Sequence, residues 1–109
     1  DNNSKGLNDA ILIHQDGFVK KLKVDVDISH SNIANLWLEL ASPRGKRAVL
    51  HNRTGLGKKN LVKSYNSASS ASLAAFIGEP MKGNWILKIK DLAGRDVGTL
   101  NEWSLDAAC

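Results

Sequence analysis

From Leu22 to Ile28 every second residue is apolar and every residue between is charged: Leu22, Val24, Val26 and Ile28 alternate with Lys23, Asp25 and Asp27, and Lys21 precedes them. A period of two cannot build an apolar face on a helix, whose side chains repeat at about 3.6 residues, but it does so on a strand. The stretch, counted from Phe18, is predicted to be a strand with one dry face and one wet face. Such a strand is marginal alone, so the rest of the chain must supply a sheet and a second layer to cover it.

The chain does supply them. Leu36, Leu38 and Leu40 repeat the alternation after the polar turn 29–32, and Ser42-Pro43-Arg44-Gly45 closes that segment with a turn. Trp85, Leu87 and Ile89 alternate with Lys88 and Lys90, while Leu100, Trp103 and Leu105 mark a last strand. The odd spacing from Leu100 to Trp103 predicts an irregular register there. Shorter strands are expected at Ala10–Ile13 and Ala48–Leu50. The polar connection from His51 to Ser72 is expected to hold at most one more, near Leu61–Tyr65, and Leu73–Ile77 forms a compact apolar patch. Short, evenly spaced strands with almost no helical periodicity predict an all-β fold, an antiparallel two-sheet sandwich. On this reading residues 1–109 are one domain, with 1–6 a lead-in and 106–109 a tail.

At 109 residues with 42% hydrophobic content, the chain can bury one core without disulfides. Cys109 is the only cysteine, which excludes an internal disulfide framework and a cysteine-rich zinc site and suggests either a boundary of the piece or a bond to another segment. No charged leader and no apolar run of about 18 residues occurs, so a soluble domain without membrane attachment is expected. The net charge of +4 allows a general attraction to anionic surfaces. Nucleic acid is not the expected partner, because Lys20, Lys21, Lys23, Arg44, Lys46, Arg47, Lys58 and Lys59 are not interleaved with stacking aromatics.

Hydroxyls, histidines and acids are present at Ser29, His30 and Asp27, at His14 and Asp16, and at His51. A catalytic triad is defined by geometry, and neither a G-x-S-x-G elbow nor an H-E-x-x-H helix is there to impose it. The expectation is a domain that is not itself an enzyme. Trp85 and Trp103 are expected as core anchors, whereas Trp37 lies between inward Leu36 and Leu38 and is therefore placed on the outer face. An outward tryptophan is a candidate partner contact, and the nearby basic turn adds Arg44, Lys46 and Arg47 to it.

Three ordered blocks carry a family resemblance. The first is Val24-Asp25-Val26-Asp27-Ile28-Ser29-His30 with Ile33, Leu36 and Leu38, running into Leu40-Ala41-Ser42-Pro43-Arg44-Gly45. The second is Leu50-His51-Asn52-Arg53 with Asn60-Leu61. The third runs from Gly83-Asn84-Trp85-Ile86-Leu87-Lys88-Ile89-Lys90-Asp91 through Asp96, Gly98, Leu100, Trp103 and Leu105. Together they resemble the P domain of proprotein convertases and of bacterial secreted subtilisin-like proteases. One departure is Asn35, a neutral amide where the resembled pattern has an acid.

The resemblance implies a jelly-roll-type sandwich following a subtilisin-like serine protease domain, or in some bacterial cases a metalloprotease. It implies a secreted, non-catalytic accessory domain, monomeric when isolated, that docks on the catalytic domain of its own parent chain, stabilises it, and influences maturation or substrate access. No cofactor is required. Calcium is the structural ion the resemblance admits, with Asp27, Asp91 and Asp96 as candidate ligands. The rival reading is an independent module that holds a secreted enzyme on collagen or polysaccharide, for which Trp37 and Tyr65 are the available aromatics.

Overall fold

A computed structural model describes residues 7–30, 33–53, 58–91 and 98–109. The strands are β1 (Leu7–Ile13), β2 (Lys21–His30), β3 (Leu36–Ala41), β4 (Arg47–Asn52), β5 (Leu61–Asn66), β6 (Gly83–Asp91) and β7 (Gly98–Ala108). A short 3-10 turn (Ile33–Asn35) leads into β3, and one helical turn, α1 (Ala71–Ala74), lies between β5 and β6. They form two antiparallel sheets, one ordered β1-β6-β3-β4 and the other β5-β2-β7. Apart from the β3–β4 hairpin, each strand crosses to the opposite sheet from its predecessor. A two-sheet β-sandwich results, as the alternation predicts. Among the described residues no helix is long and apolar enough to cross a membrane.

The core lies between the sheets and is built from the predicted inward positions. Leu22, Val24, Val26 and Ile28 of β2, Leu36, Leu38 and Leu40 of β3, and Trp85, Leu87 and Ile89 of β6 are all buried in one cluster. Trp85 is fully buried, and its indole Nε1 donates to the Met81 carbonyl at 2.9 Å, so the ring enters the core with its one donor satisfied. Phe76 meets it edge to face, with centroids 5.5 Å apart and planes at 67°. Leu73 and Phe76, three residues apart, are the buried members of the apolar patch, which begins within α1 and runs past its end.

The irregular register predicted in β7 is a bulge. Asp27 pairs with Glu102 and Ile28 with Leu100, which leaves Asn101 as the extra residue. Its amide Nδ2 donates to Asp27 Oδ1 at 3.1 Å and to Ser29 Oγ at 2.8 Å, tying the bulge to β2.

Three expectations change. Phe18 is 65% exposed and Val19 is buried in its place, because the bend at Lys20 breaks the alternation and β2 begins only at Lys21. Residues 106–108, read as tail, continue β7 and pair with Lys21–Lys23, Ala107 packing on the core opposite Leu22. Trp103 is only partly buried and donates its Nε1 to Asp9 Oδ2 at 2.6 Å, a polar link between the two sheets at their β1 and β7 edges.

Edge strand β5 carries a further departure from simple patterning. Leu61 and Tyr65 face the core, and Lys63 between them has the same parity yet stays exposed, its Nζ 5.0 Å from the centre of the Tyr65 ring. Tyr65 is buried rather than available to a ligand, and its hydroxyl has no hydrogen-bond partner among the described residues. Leaving a buried hydroxyl unpaired costs about 1–3 kcal/mol, so Tyr65→Phe is expected to be neutral or up to about 1 kcal/mol stabilising in a denaturant titration at neutral pH. Burial also raises the phenol above its ordinary pKa of 10.0. The folded state therefore keeps a proton that the unfolded chain releases, and stability falls as pH rises past that value. The phenylalanine variant should lose this alkaline slope.

Candidate functional site

The outer face of the four-stranded sheet is where the sequence candidates converge. Strand β3 turns Leu36, Leu38 and Leu40 inward, so Trp37, Glu39 and Ala41 point outward. Register extends the face in rows across the sheet. Trp37 is flanked by Lys90 and Asn52, Glu39 by Lys88 and Val49, and Ala41 by Ile86 and Arg47. On the far side β1 adds Asn8 beside Lys88, Ala10 beside Ile86 and Leu12 beside Asn84. Trp37 and Arg47 thus share one surface, as a docking role requires. The Lys90 ammonium lies 4.9 Å from the centre of the Trp37 ring, a cation–π contact that holds the half-buried indole against the sheet.

Arg44 and Lys46 lie in the turn at the end of this sheet. The Gly45 amide donates to the Ser42 carbonyl at 2.9 Å, the Lys46 amide to Ser42 Oγ at 3.1 Å, and Ser42 Oγ donates in turn to Glu79 Oε1 at 3.3 Å. These bonds fix the turn, so its two exposed cations project from a firm base. The sequence reading omitted Lys88, Lys90, Ile86, Leu12 and Val49 from the candidate contact. Ile86 carried a visible signal, an apolar residue at the outward position between Trp85 and Leu87.

The remaining candidates are spread over both sheets. Asp27 points to the outer face of the three-stranded sheet, where it accepts from Asn101, whereas Asp91 closes β6 in the other sheet opposite Leu36. The side chain of Asp91 lies outside the described residues. Asp96 lies outside the described residues. Among the described residues no group of three or more His, Cys, Asp or Glu is placed to hold a metal.

Ser29 and His30 are neighbours on β2 and face opposite sides of the sheet, His30 buried and Ser29 exposed. They cannot form a nucleophile–base pair. His51 is buried with Nε2 2.8 Å from the Ile33 carbonyl, a structural contact. The outer face of the three-stranded sheet carries an open groove of about 340 Å³ lined by Asp25, Asp27, Ser64, Glu102 and Ser104.

Comparison with known proteins agrees with the fold and the resemblance. Residues 19–107 match the family model described as the proprotein convertase P-domain. The chain is similar to leupeptin-inactivating enzyme 1 of Streptomyces exfoliatus, 39% identical over 83 residues that make up 76% of this chain and 17% of that protein. It is similar to the calcium-dependent protease of Trichormus variabilis, 31% identical over 91 residues, 81% of this chain and 14% of that one. The transglutaminase-activating metalloprotease of Streptomyces mobaraensis is 32% identical over 84 residues, 77% of this chain and 10% of that one. This chain therefore spans less than a fifth of each of these relatives. Among solved structures, the serine protease of Aeromonas sobria superposes with a TM-score of 0.73 at 21% identity, covering 94% of this chain and 23% of that one, which supports the sandwich fold. With the family model covering most of its length, the chain belongs to the proprotein convertase P-domain family.

Proposed function

We propose that this chain acts as the non-catalytic accessory domain of a secreted subtilisin-like serine protease, docking on the catalytic domain of its own parent chain and stabilising it. The observation that carries this reading is the outer face that unites Trp37 with Arg47, beside a turn presenting Arg44 and Lys46. The serine hydrolases are favoured by the name of the Aeromonas protein, and the relative named as a metalloprotease fits the same logic. A domain shared by proteases of different chemistry serves them by what it contacts, not by cleaving bonds. Secretion follows from the same assignment. The substrate-anchoring alternative loses one of its two aromatics, since Tyr65 is buried.

Removal of residues 19–107 from the full-length parent is the direct test. The truncated protease is expected to mature poorly and to lose activity faster on heating, measured as the yield of processed enzyme and its inactivation half-life. Unchanged yield and half-life would refute the accessory role.

A further inference from the structure

We propose that the outer face of the four-stranded sheet is the surface that docks on the protease domain, and that the protease surface it meets is acidic. The inference rests on the accessory reading above and adds the face and the chemistry of its partner.

The two outer faces of the sandwich differ in kind. The four-stranded face carries Arg47, Lys88 and Lys90 against the single acid Glu39, and Arg44 and Lys46 extend the positive field at its end. Among them lie exposed Leu12, Val49 and Ile86, at 51%, 37% and 37%, with the Trp37 indole beneath Lys90. The three-stranded face carries Asp25, Asp27, Glu102 and Asp106 against Lys21 and Lys23, and Val62 is its one large exposed hydrophobic among the described residues. Apolar side chains ringed by cations of one sign describe an interface whose centre excludes water and whose rim selects an oppositely charged partner. Four strands at about 4.8 Å spacing and six residues at about 3.4 Å give a face of roughly 400 Å². Counting both partners, that falls in the lower part of the range of about 600–1,500 Å² found between domains of one chain.

The test uses the full-length protease. Lysine acetylation footprinting of the unaltered protein is expected to show Lys46 protected relative to Lys21 and Lys23, all three exposed in the domain by itself, and equal labelling of the three would overturn the assignment. Lys88→Glu with Lys90→Glu is expected to shorten the inactivation half-life by roughly tenfold, an effect the neutral Lys88→Gln, Lys90→Gln pair shows more weakly and added salt reproduces in the unaltered protein. Lys21→Glu with Lys23→Glu on the opposite face, the same charge change at exposed positions, should leave the half-life unchanged. If deletion of the domain shortens the half-life but the lysine substitutions do not, the face is wrong while the accessory role stands. If deletion has no effect, the accessory role itself fails and the face falls with it.

Discussion

Replacing Gly83 with alanine is expected to lower the melting temperature by roughly 12–24 °C, the equivalent of about 3 kcal/mol in a domain of this size. Two costs combine. Gly83 has φ +127°, a conformation that L residues rarely adopt. A Cβ built there would also lie 2.7 Å from Pro43 Cβ and 3.0 Å from its Cγ. Neither atom is the end of a flexible side chain, so backbone must move. Backbone strain of about 1–3 kcal/mol and overpacking of similar size are the ordinary magnitudes. A thermal melt followed by circular dichroism reads the sum, and the double variant Pro43→Gly, Gly83→Ala separates the parts. Removing the Pro43 side chain should restore the steric share and leave the dihedral share, so the two substitutions will not be additive. Additive losses would show that the ring contact is not the cause.

Trp85→Ala is expected to cost about 4–5 kcal/mol, at the upper end for an aromatic core truncation. Trp85 is fully buried near the start of β6, packs edge to face on Phe76, and satisfies the Met81 carbonyl. Against a total stability of about 5–15 kcal/mol, this loss removes at least about a quarter of what keeps the domain folded. Trp85→Phe should cost less, keeping ring area against Phe76 but leaving the Met81 carbonyl without its indole donor. Guanidinium midpoints for the two variants distinguish the cavity from the lost hydrogen bond. Equal midpoints would show that the indole N–H contributes most of what Trp85 provides.

What was legible in the sequence was what burial on one side imprints. Leu22 to Ile28, Leu36 to Leu40 and Trp85 to Ile89 each alternate because one face of each strand is dry, and the structure buries those residues. The bulge in β7 was legible for the same reason, since an extra residue shifts the phase of the pattern. Phe18 misled because its parity agrees with Leu22 while the bend at Lys20 resets the phase. Asp106–Ala108 lacked the bulky residues that mark a strand, yet β2 offers them backbone partners. The proposed docking face was half legible. Trp37 announced itself as an outward tryptophan, but Lys90 and Arg47 become its neighbours only through pairing of β3 with β6 and β4, and register between distant segments is not written in local periodicity.

Lys63 bears on how the domain behaves in company. It stands at a core-facing position of an edge strand, and its ammonium escapes outward across the Tyr65 ring. A strand from another molecule adding to β5 would have to trap that cation between two cores, at a desolvation cost that its hydrogen bonds do not repay. The β5 edge, one of four edge strands in the two sheets, is thereby guarded against strand addition by a single misplaced charge.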